Sequence, residues 1–357
     1  MRVAFVTMET THYRDSGGAR RFERIAGHLA GRGHDITVFC SKWWDGHDER
    51  VVRDGIVYRA VAVSPEPVRF AARLPAVLAY HAPDVVHMRP DPPLAVATAR
   101  LGCSAARLPL VVEWYGDEPI DDARFLAQAA TLPDLVVTPS EMVRTAVREL
   151  GATDETTRVV PESIDWSVVE SAETAGAVDV VTAHSLDATA NVGTLLLGLA
   201  ELRDREWSAT IIGDGPERES YERQARDLRI DDRVTFAGAC DNRRRVALYR
   251  GAHAFVQTAH RAYFATELLR ALACGCVGIV EYQAESSAHE LAEEHPRSYR
   301  VTDPQELADA IVDAGTFDRW TVDDDWESYD HEPVLERYLA AYRDLAEGYG
   351  LLSISSR

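Results

Sequence analysis

Short apolar runs of strand length recur along the chain and alternate with segments of helical periodicity. In the first half the runs cover residues 3–7, 36–40, 85–88, 110–114, 135–138 and 158–161. In the second half they cover residues 178–183, 209–212, 234–237, 254–257 and 277–280. Helical patterns, such as those at 20–32, 141–150 and 217–228, separate most of them. Near-continuous apolar strands that alternate with helices predict doubly wound parallel sheets, an α/β fold.

The two sets of strands predict two domains, which is also what a chain of 357 residues allows. A polar stretch at 167–175 lies between the sets and is typical of a linker. We therefore expect an N-terminal domain at 1–166 and a C-terminal domain at 177–320. Residues 323–331 are acidic and irregular, and they precede an amphipathic helix at 334–345.

Residues 255–291 contain the most informative pattern. The strand at 254–257 ends in a polar loop, a helix opens near Thr266, and Gly275 ends that helix. Ala265, Thr266 and Glu267 would present free backbone N–H groups at the helix N-terminus, which is a ready anion site. An acidic side chain beside them could hold a sugar or ribose hydroxyl. This chemistry suits a nucleotide-diphosphate ligand.

The same segment resembles the donor site of the retaining, family-four type glycosyltransferases (glycosyl transferases group 1). Their pattern is Glu-x-Phe-Gly, four residues, Glu-Ala-Met-Ala-x-Gly, a strand, then Gly-Gly-x-x-Glu. In this chain Ala262 and Arg270 stand at the two signature glutamates, and Ser286-Ser287-Ala288-His289-Glu290 stands at the last motif. The resemblance implies a GT-B fold, in which two Rossmann-like domains face each other across a cleft. It also implies that a final helix, at 332–347, returns to the N-terminal domain.

Other pieces of the chain extend the resemblance. Gly17-Gly18 follows the first strand, where paired glycines allow close approach of a ligand; a plain strand-to-helix turn is the alternative. Gly213-Asp214-Gly215-Pro216-Glu217 also matches the family pattern. The family places an arginine and a lysine after the first strand of the second half to neutralise the donor diphosphate. Here that loop carries His184 instead, and Arg270 or Arg261 could supply the positive charge.

A third region departs from the family. Tyr115 stands where the family has a histidine. Glu113 and Asp117 flank it as candidate contacts for sugar hydroxyls, although surface carboxylates are common.

The resemblance implies a glycosyltransferase of hexosyltransferase type (EC 2.4), which moves a sugar from a nucleotide-diphosphate donor to a glycan or lipid-linked acceptor with retention. Catalysis would be electrostatic and would need no metal and no cofactor besides the nucleotide-sugar substrate. Its candidate catalytic residues are Glu267 and Arg270. Its candidate donor- and phosphate-binding residues are Gly17, Gly18, His184, Gly213, Phe264, Ala265, Thr266 and Glu290. The ligand would lie in the cleft, against the Gly17-Gly18 loop and the helix start at 265–267.

Two other functions fit the pattern less fully. Loss of both signature glutamates fits a catalytically degenerate GT-B protein that acts as a nucleotide-sugar or glycan-binding partner. A dinucleotide-dependent dehydrogenase is disfavoured, because no Gly-x-Gly-x-x-Gly follows a strand.

Composition indicates the salt conditions in which the protein works and one class of ligand that it does not bind. The net charge is −20, from 58 acidic and 38 basic residues, and Lys42 is the only lysine. This balance predicts adaptation to high salt, of haloarchaeal type, although a GC-rich genome also favours arginine. Nucleic-acid binding is disfavoured because no basic stripe is present.

The cysteines and the chain's first residues bear on localisation. Five cysteines without a Cys-x-x-Cys pair fit a reduced, intracellular protein. The first residues are typical of a strand rather than a signal peptide, and no apolar run approaches the roughly 20 residues of a membrane span. We expect a cytoplasmic protein, with peripheral contact at the inner face of the membrane left open.

Overall fold

In a computed structural model, which describes residues 1–118, 124–293 and 295–350, the chain forms two compact units. Unit 1 comprises Met1–Pro161 and the chain from Glu332 onward, and unit 2 comprises Glu162–His331. Each unit is an α/β structure built on a parallel sheet, which confirms the predicted fold class.

The strands of unit 1 are β1 (Arg2–Val6), β2 (Asp35–Ser41), β3 (Arg50–Arg53), β4 (Ile56–Ala62), β5 (Val85–Met88), β6 (Leu110–Glu113), β7 (Leu135–Thr138) and β8 (Thr157–Val159). Within the described residues they form one sheet in the order β3-β4-β2-β1-β5-β6-β7-β8. Only the pair β3–β4 is antiparallel among these described strands. The strand order reverses between β1 and β5, and ligands of such sheets bind beyond the carboxyl ends of the strands at this point.

The helices between these strands are α1 (Gly17–Gly31), α2 (Pro67–His81), α3 (Pro93–Ala106), α4 (Leu126–Thr131) and α5 (Glu141–Glu149). Helix α1 begins where the Ser16 hydroxyl accepts a hydrogen bond of 3.3 Å from the Ala19 N–H, an N-cap. Phe22, Ile25 and Leu29 on α1 pack against the sheet as one apolar face.

The hairpin β3–β4 is absent from the sequence prediction. Its turn is Asp54-Gly55, with φ of 50° and 78°, the positive values that a two-residue hairpin turn requires. The pattern is weak because β3 lies at the sheet edge, where Val52 is 61% exposed. An Asp-Gly pair between two runs of β-branched residues is the signal that would have predicted it.

Unit 2 has the strands β9 (Val178–Ala183), β10 (Ala209–Ile212), β11 (Val234–Gly238), β12 (Ala252–Gln257), β13 (Arg261–Ala262), β14 (Val277–Glu281), β15 (Glu285–Ser286) and β16 (Ser298–Val301). In the described part of this unit, the main sheet is parallel in the order β11-β10-β9-β12-β14-β16. This is the doubly wound order of dinucleotide-binding folds, with its switch point between β9 and β12. Strands β13 and β15 form a separate short ribbon.

The helices of unit 2 are α6 (Trp166–Ser171), α7 (Val192–Glu201), α8 (Arg218–Asp227), α9 (Asn242–Gly251), α10 (Thr266–Ala273), α11 (Ala288–Ala292) and α12 (Pro304–Ala314). The segment predicted as a linker therefore begins as helix α6. Asp165 caps this helix by accepting from the Val168 N–H, and Trp166 and Val169 are buried in the core of unit 2.

The last helix, α13 (His331–Gly348), packs on the sheet of unit 1 through Leu335, Tyr338, Leu339 and Tyr342. No helix in the described ranges is long and apolar enough to span a membrane.

A buried polar network holds α13 in place. The Arg21 guanidinium donates to Glu113 Oε1 (2.7 Å) and to the Tyr338 hydroxyl (2.6 Å), and Tyr338 donates to Glu113 Oε2 (2.9 Å). His87 Nε2 lies 3.1 Å from the same carboxylate, and its Nδ1 lies 2.6 Å from the Tyr342 hydroxyl. Glu113 is 1% exposed, so the suggested contact with sugar hydroxyls is wrong, and this carboxylate anchors α13 instead.

Candidate functional site

Three loops meet at the carboxyl edge of the sheet in unit 2. The loop after β9 is joined to the loop after β12, because the His260 N–H donates to the Thr189 carbonyl (2.9 Å). The Asn191 amide donates to the Thr258 carbonyl (3.0 Å) and to the carboxylate of Glu281 (2.9 Å), the last residue of β14. These loops flank the switch point between β9 and β12, where doubly wound sheets bind ligands.

The ribbon β13–β15 joins the two halves of the sequence motif. Arg261 pairs with Glu285 and Ala262 with Ser286 along this ribbon. The Ser287 hydroxyl also donates to the Tyr263 carbonyl (3.0 Å). The segment before α10 is therefore fixed against the segment before α11.

Two predicted donor residues lie beside this ribbon. Phe264 is partly buried against the apolar core of unit 2. Glu290 lies in the first turn of α11, where its N–H donates to the Ser287 carbonyl (3.0 Å). Phe264 thus lies just before the start of α10, and Glu290 lies on α11.

The start of α10 is partly closed by its own chain. Ala265 occupies the N-cap position and is 5% exposed. The Thr266 N–H donates to the Phe264 carbonyl (3.1 Å), so this N–H is not free for a ligand. Gly275, with φ of 79°, lies just past the helix end, as predicted.

The Glu267 carboxylate is the centre of a charged cluster on the first turn of α10. Its Oε1 accepts from Arg245 Nη1 (2.6 Å) and from Arg270 Nη1, and its Oε2 accepts from the Tyr249 hydroxyl (2.6 Å). The structure thus brings the predicted residues Glu267 and Arg270 together and adds Arg245 and Tyr249 from α9. Burial and the Glu267 charge raise the pKa of Tyr249 well above its usual range, so its hydroxyl remains a donor.

The cluster also contains hydrogen-bond donors that have no acceptor. The Nε atoms of Arg245 and Arg270 are buried and have no hydrogen-bond partner in the described part of the chain. Two guanidinium groups on one carboxylate also leave the cluster with a formal excess of one positive charge. Buried, unpaired N–H groups are costly, so the cluster is suited to receive an anion.

Arg261, the other cation considered from the sequence, is placed differently. Its side chain is half exposed and pairs with Glu285 across the ribbon (2.7 Å). Its charge is therefore already matched by a carboxylate.

Gly213 and His184 are brought together by close packing of the loops after β9 and β10. Gly213 has a φ of 131°, and a Cβ there would collide with the His184 carbonyl oxygen. The Gly213 N–H donates to the Gly238 carbonyl (2.9 Å), and His184 Nδ1 lies 2.8 Å from the Ser185 carbonyl oxygen. Glycine is required here because the backbone adopts a conformation that side chains disfavour.

In unit 1, Gly17 and Gly18 begin helix α1 and already have partners from the same unit. The Gly18 N–H donates to Asp117 Oδ2 (2.8 Å). A Cβ on Gly17 would lie 2.8 Å from the Tyr115 ring, and one on Gly18 would lie 2.9 Å from Tyr115 Cβ. The paired glycines therefore make room for Tyr115 and Asp117, and the Asp117 carboxylate occupies the positive end of the helix.

A second carboxylate adjoins this one. The two oxygens of Glu118 accept from the backbone N–H groups of Tyr115 (2.7 Å) and Gly116 (2.8 Å). Burial raises the pKa of Glu118 to about 7, although the Arg89 charge opposes this shift. Arg89 itself is buried, and its Nη2 lies 3.6 Å from Asp117 Oδ1. The carboxylates at this edge of unit 1 are therefore held in fixed positions close to the start of α1.

Two glycosyltransferase family models match this chain. The family model of Glycosyltransferase Family 4 matches residues 16–167, and that of Glycosyl transferases group 1 matches residues 170–314. Together the two matches extend over most of the chain. A comparison with curated proteins finds no match.

Solved structures share the fold at low sequence identity. A glycosyltransferase from Rickettsia africae has a TM-score of 0.76 at 13% identity and covers 96% of this chain and 98% of its own. Anabaena HepE in complex with UDP and glucose has a TM-score of 0.67 at 17% identity, covering 96% and 100%. The lipopolysaccharide outer core galactosyltransferase WaaB has a TM-score of 0.70 at 16% identity, covering 96% and 99%. The chain therefore belongs to the glycosyltransferases of GT-B fold.

Proposed function

We propose that this protein transfers a sugar from a nucleotide-diphosphate donor to a glycan or lipid-linked acceptor, with retention at the anomeric carbon. The observation that carries the proposal is the cluster of Arg245 on α9 with Glu267 and Arg270 on α10. It lies at the sheet edge where doubly wound units bind nucleotides. The structural relative HepE binds UDP and glucose, which supports a uridine-diphosphate sugar as the donor.

In this proposal the arginines neutralise the leaving diphosphate. Charge develops on the diphosphate as the glycosidic bond breaks, and fixed cations and helix N–H groups stabilise that charge. The unpaired Nε–H groups of Arg245 and Arg270 are the donors that would turn to phosphate oxygens. Guanidinium groups suit this role because they contact phosphate in a bidentate manner.

Glu267 acts mainly as a positioning residue in this arrangement. Its carboxylate holds both arginines and the Tyr249 hydroxyl. A carboxylate offers about four lone-pair sites, so Oε2 can still accept from a sugar or ribose hydroxyl. We also propose His184, Gly213, Phe264, Ala265, Thr266 and Glu290 as contacts of the donor.

In unit 1, we propose that the start of α1 receives an anionic group of a ligand in exchange for Asp117. Gly17 and Gly18 would then offer their backbone to that group. The Gly18 N–H at this helix end donates to the Asp117 carboxylate, which supports the proposal that the position accepts a negative charge.

A second candidate function has an observation of its own. Ala262 and Arg270 replace both glutamates of the donor motif, which fits a protein that binds nucleotide sugars or glycans without transferring them. Free cysteines at all five positions favour a reducing compartment, the cytoplasm, for either function.

A screen of uridine- and guanosine-diphosphate sugars at molar KCl tests the proposal. Release of nucleoside diphosphate that depends on an added glycan or lipid-linked acceptor supports transfer, and the anomeric configuration of the product by NMR decides retention. Tight nucleotide binding without acceptor-dependent release favours the binding protein instead. Absence of both binding and release contradicts the two functions alike.

A further inference from the structure

A cavity of about 290 Å³ opens on the sheet of unit 1, away from the loops described above. Its floor follows the strand register: Ala4 lies beside Thr37, which lies beside Val57. Phe39 continues this face one step further along β2 and contacts the ring of His81, with ring centroids 5.0 Å apart. The opposite face of the same strands carries Phe5, Ile36 and Val38, which belong to the apolar core.

The cavity lies toward the amino ends of the strands. Arg2 and Asp35, the first residues of β1 and β2, are part of its lining, and Pro83 precedes β5. The Gly17-Gly18 loop follows the carboxyl end of β1. A ligand in this cavity would therefore not share the edge of the sheet at which α1 begins.

The charge of the lining is opposite to that of the chain. Among its described residues are Arg2, Arg50 and Arg59 and the carboxylate of Asp35, and Arg2 pairs with Asp84 (3.3 Å), so Arg50 and Arg59 are the unmatched charges in a chain of net charge −20. Arg50 and Arg59 stand directly opposite each other on β3 and β4. Like charges in this arrangement repel and destabilise a strand pair. Arg50 is exposed, so water screens part of its charge, but in the described ranges neither guanidinium has a hydrogen bond or an ion pair with the protein.

Other groups would favour an anion between these arginines. Burial lowers the pKa of His81, and the Arg59 charge nearby lowers it further. The floor presents the partly exposed Thr37 and Val57 beside the buried Ala4 and Phe39. The size is at the lower limit of ligand pockets, roughly 300 Å³, which admits a phosphate with a small organic body.

We propose that this pocket is a ligand site for a small phosphomonoester, bound by Arg50 and Arg59 through its phosphate and by Thr37 and Val57 of the floor through its body. Two guanidinium groups match the phosphate oxygens in geometry and charge. The bound phosphate would remove the repulsion between the two arginines, so binding would stabilise the β3–β4 hairpin. The site is independent of the proposed sugar transfer.

Calorimetric titration of the full chain at constant ionic strength tests the proposal. The probes are glycerol 3-phosphate, inorganic phosphate, and vesicles with and without phosphatidic acid. We expect glycerol 3-phosphate to bind, and both Arg59→Gln and Arg50→Gln to weaken it by at least about tenfold. Arg53→Gln is the matched control, because Arg53 is also on β3 but stacks on Trp43, and it should change the affinity by less than about twofold.

Binding of phosphatidic-acid vesicles but not of glycerol 3-phosphate would identify a lipid as the source of the phosphomonoester. Inorganic phosphate that binds as tightly as glycerol 3-phosphate would reduce the pocket to an adventitious ion only and overturn the proposal. The proposal is equally overturned if no probe binds, or if Arg53→Gln weakens binding as much as Arg59→Gln. Circular dichroism of each variant verifies that the fold is kept, and the two arginine variants provide independent tests.

Discussion

The Tyr342 hydroxyl lies 2.6 Å from His87 Nδ1, although the two residues are 255 positions apart in the chain. Because Glu113 is an ionised acceptor, His87 Nε2 must donate to it, and Nδ1 is then free to accept from Tyr342. The pair joins the last helix to the centre of the first sheet. Both side chains are fully buried, so water cannot replace the hydrogen bond between them.

Removal of this hydroxyl should destabilise unit 1. Tyr342→Phe leaves His87 Nδ1 buried and unpaired, and we expect a loss of about 1–3 kcal/mol in the free energy of unfolding. Urea denaturation measures it. Tyr80→Phe is the control, since Tyr80 is 85% exposed, and it should change stability by less than about 0.5 kcal/mol. Equal losses of unfolding free energy in the two variants would show that the buried hydrogen bond contributes no more to stability than an exposed hydroxyl does.

Acid should weaken the network at Glu113. Burial alone would raise the pKa of this carboxyl, but the Arg21 charge and the His87 ring lower it to about 2. A lowered pKa in the folded state gives stability that is present above about pH 4.5 and is lost as the pH falls toward 2. Thermal unfolding between pH 2 and 7 should show this decline.

Glu113→Gln supplies the comparison for the acid effect. The change leaves Arg21 without its carboxylate, so at pH 7 the variant should be about 3–5 kcal/mol less stable. Below about pH 4.5 its stability should fall less steeply than that of the native chain, because this titration is gone. Identical slopes for the two proteins would contradict the assignment.

Nucleotide binding should depend on the cluster in unit 2. Arg245→Gln and Arg270→Gln each remove a cation from Glu267, and we expect each to weaken UDP binding by about tenfold, or roughly 1.4 kcal/mol. Glu267→Gln frees both arginines from their anchor, so it should also weaken binding even though it removes a negative charge. Calorimetric titration with UDP provides the measurement.

Arg244→Gln is the matched control for the cluster. Arg244 is the neighbouring exposed residue on α9, and only its backbone N–H takes part in the helix cap. Affinity for UDP should stay within about twofold in this variant. If the three cluster variants also stay within that range, the helix start binds through its backbone alone.

Low salt should destabilise the protein. A net charge of −20 repels itself when unscreened, and screening shortens the reach of this repulsion to about 10 Å at 0.1 M salt. We expect the melting temperature, followed by circular dichroism, to rise from dilute buffer to molar KCl. A melting temperature that does not change across the series would rule out adaptation to high salt.

Much of the fold could be predicted because both faces of its inner strands are buried. Strands such as β5 and β7 are mostly apolar and buried throughout, and the predicted bounds match them. β3 was missed because it is exposed at the sheet edge and has no comparable run. The order of the strands in each sheet depends on which strands the connecting helices bring side by side, and no local sequence pattern predicts this.

The candidate site could be predicted only in part. The sequence placed Glu267 and Arg270 on one helix face because their spacing of three residues requires it. Arg245 and Tyr249 lie about 20 residues earlier on another helix, and only folding brings them to Glu267. A run of three arginines at 243–245 was the available signal, but it does not indicate which of them turns inward.

The place of α13 has a consequence for how the protein is made. Unit 2 is encoded by one uninterrupted segment, whereas unit 1 needs both ends of the described chain. The first 161 residues leave the ribosome long before Tyr338 and Tyr342 are synthesised. Until then the apolar face of the unit 1 sheet that α13 covers is exposed. We therefore expect unit 2, although it is translated later, to be able to complete its core first. Until α13 is made, unit 1 stays incompletely folded, and its residues Arg21, His87 and Glu113 remain exposed to water.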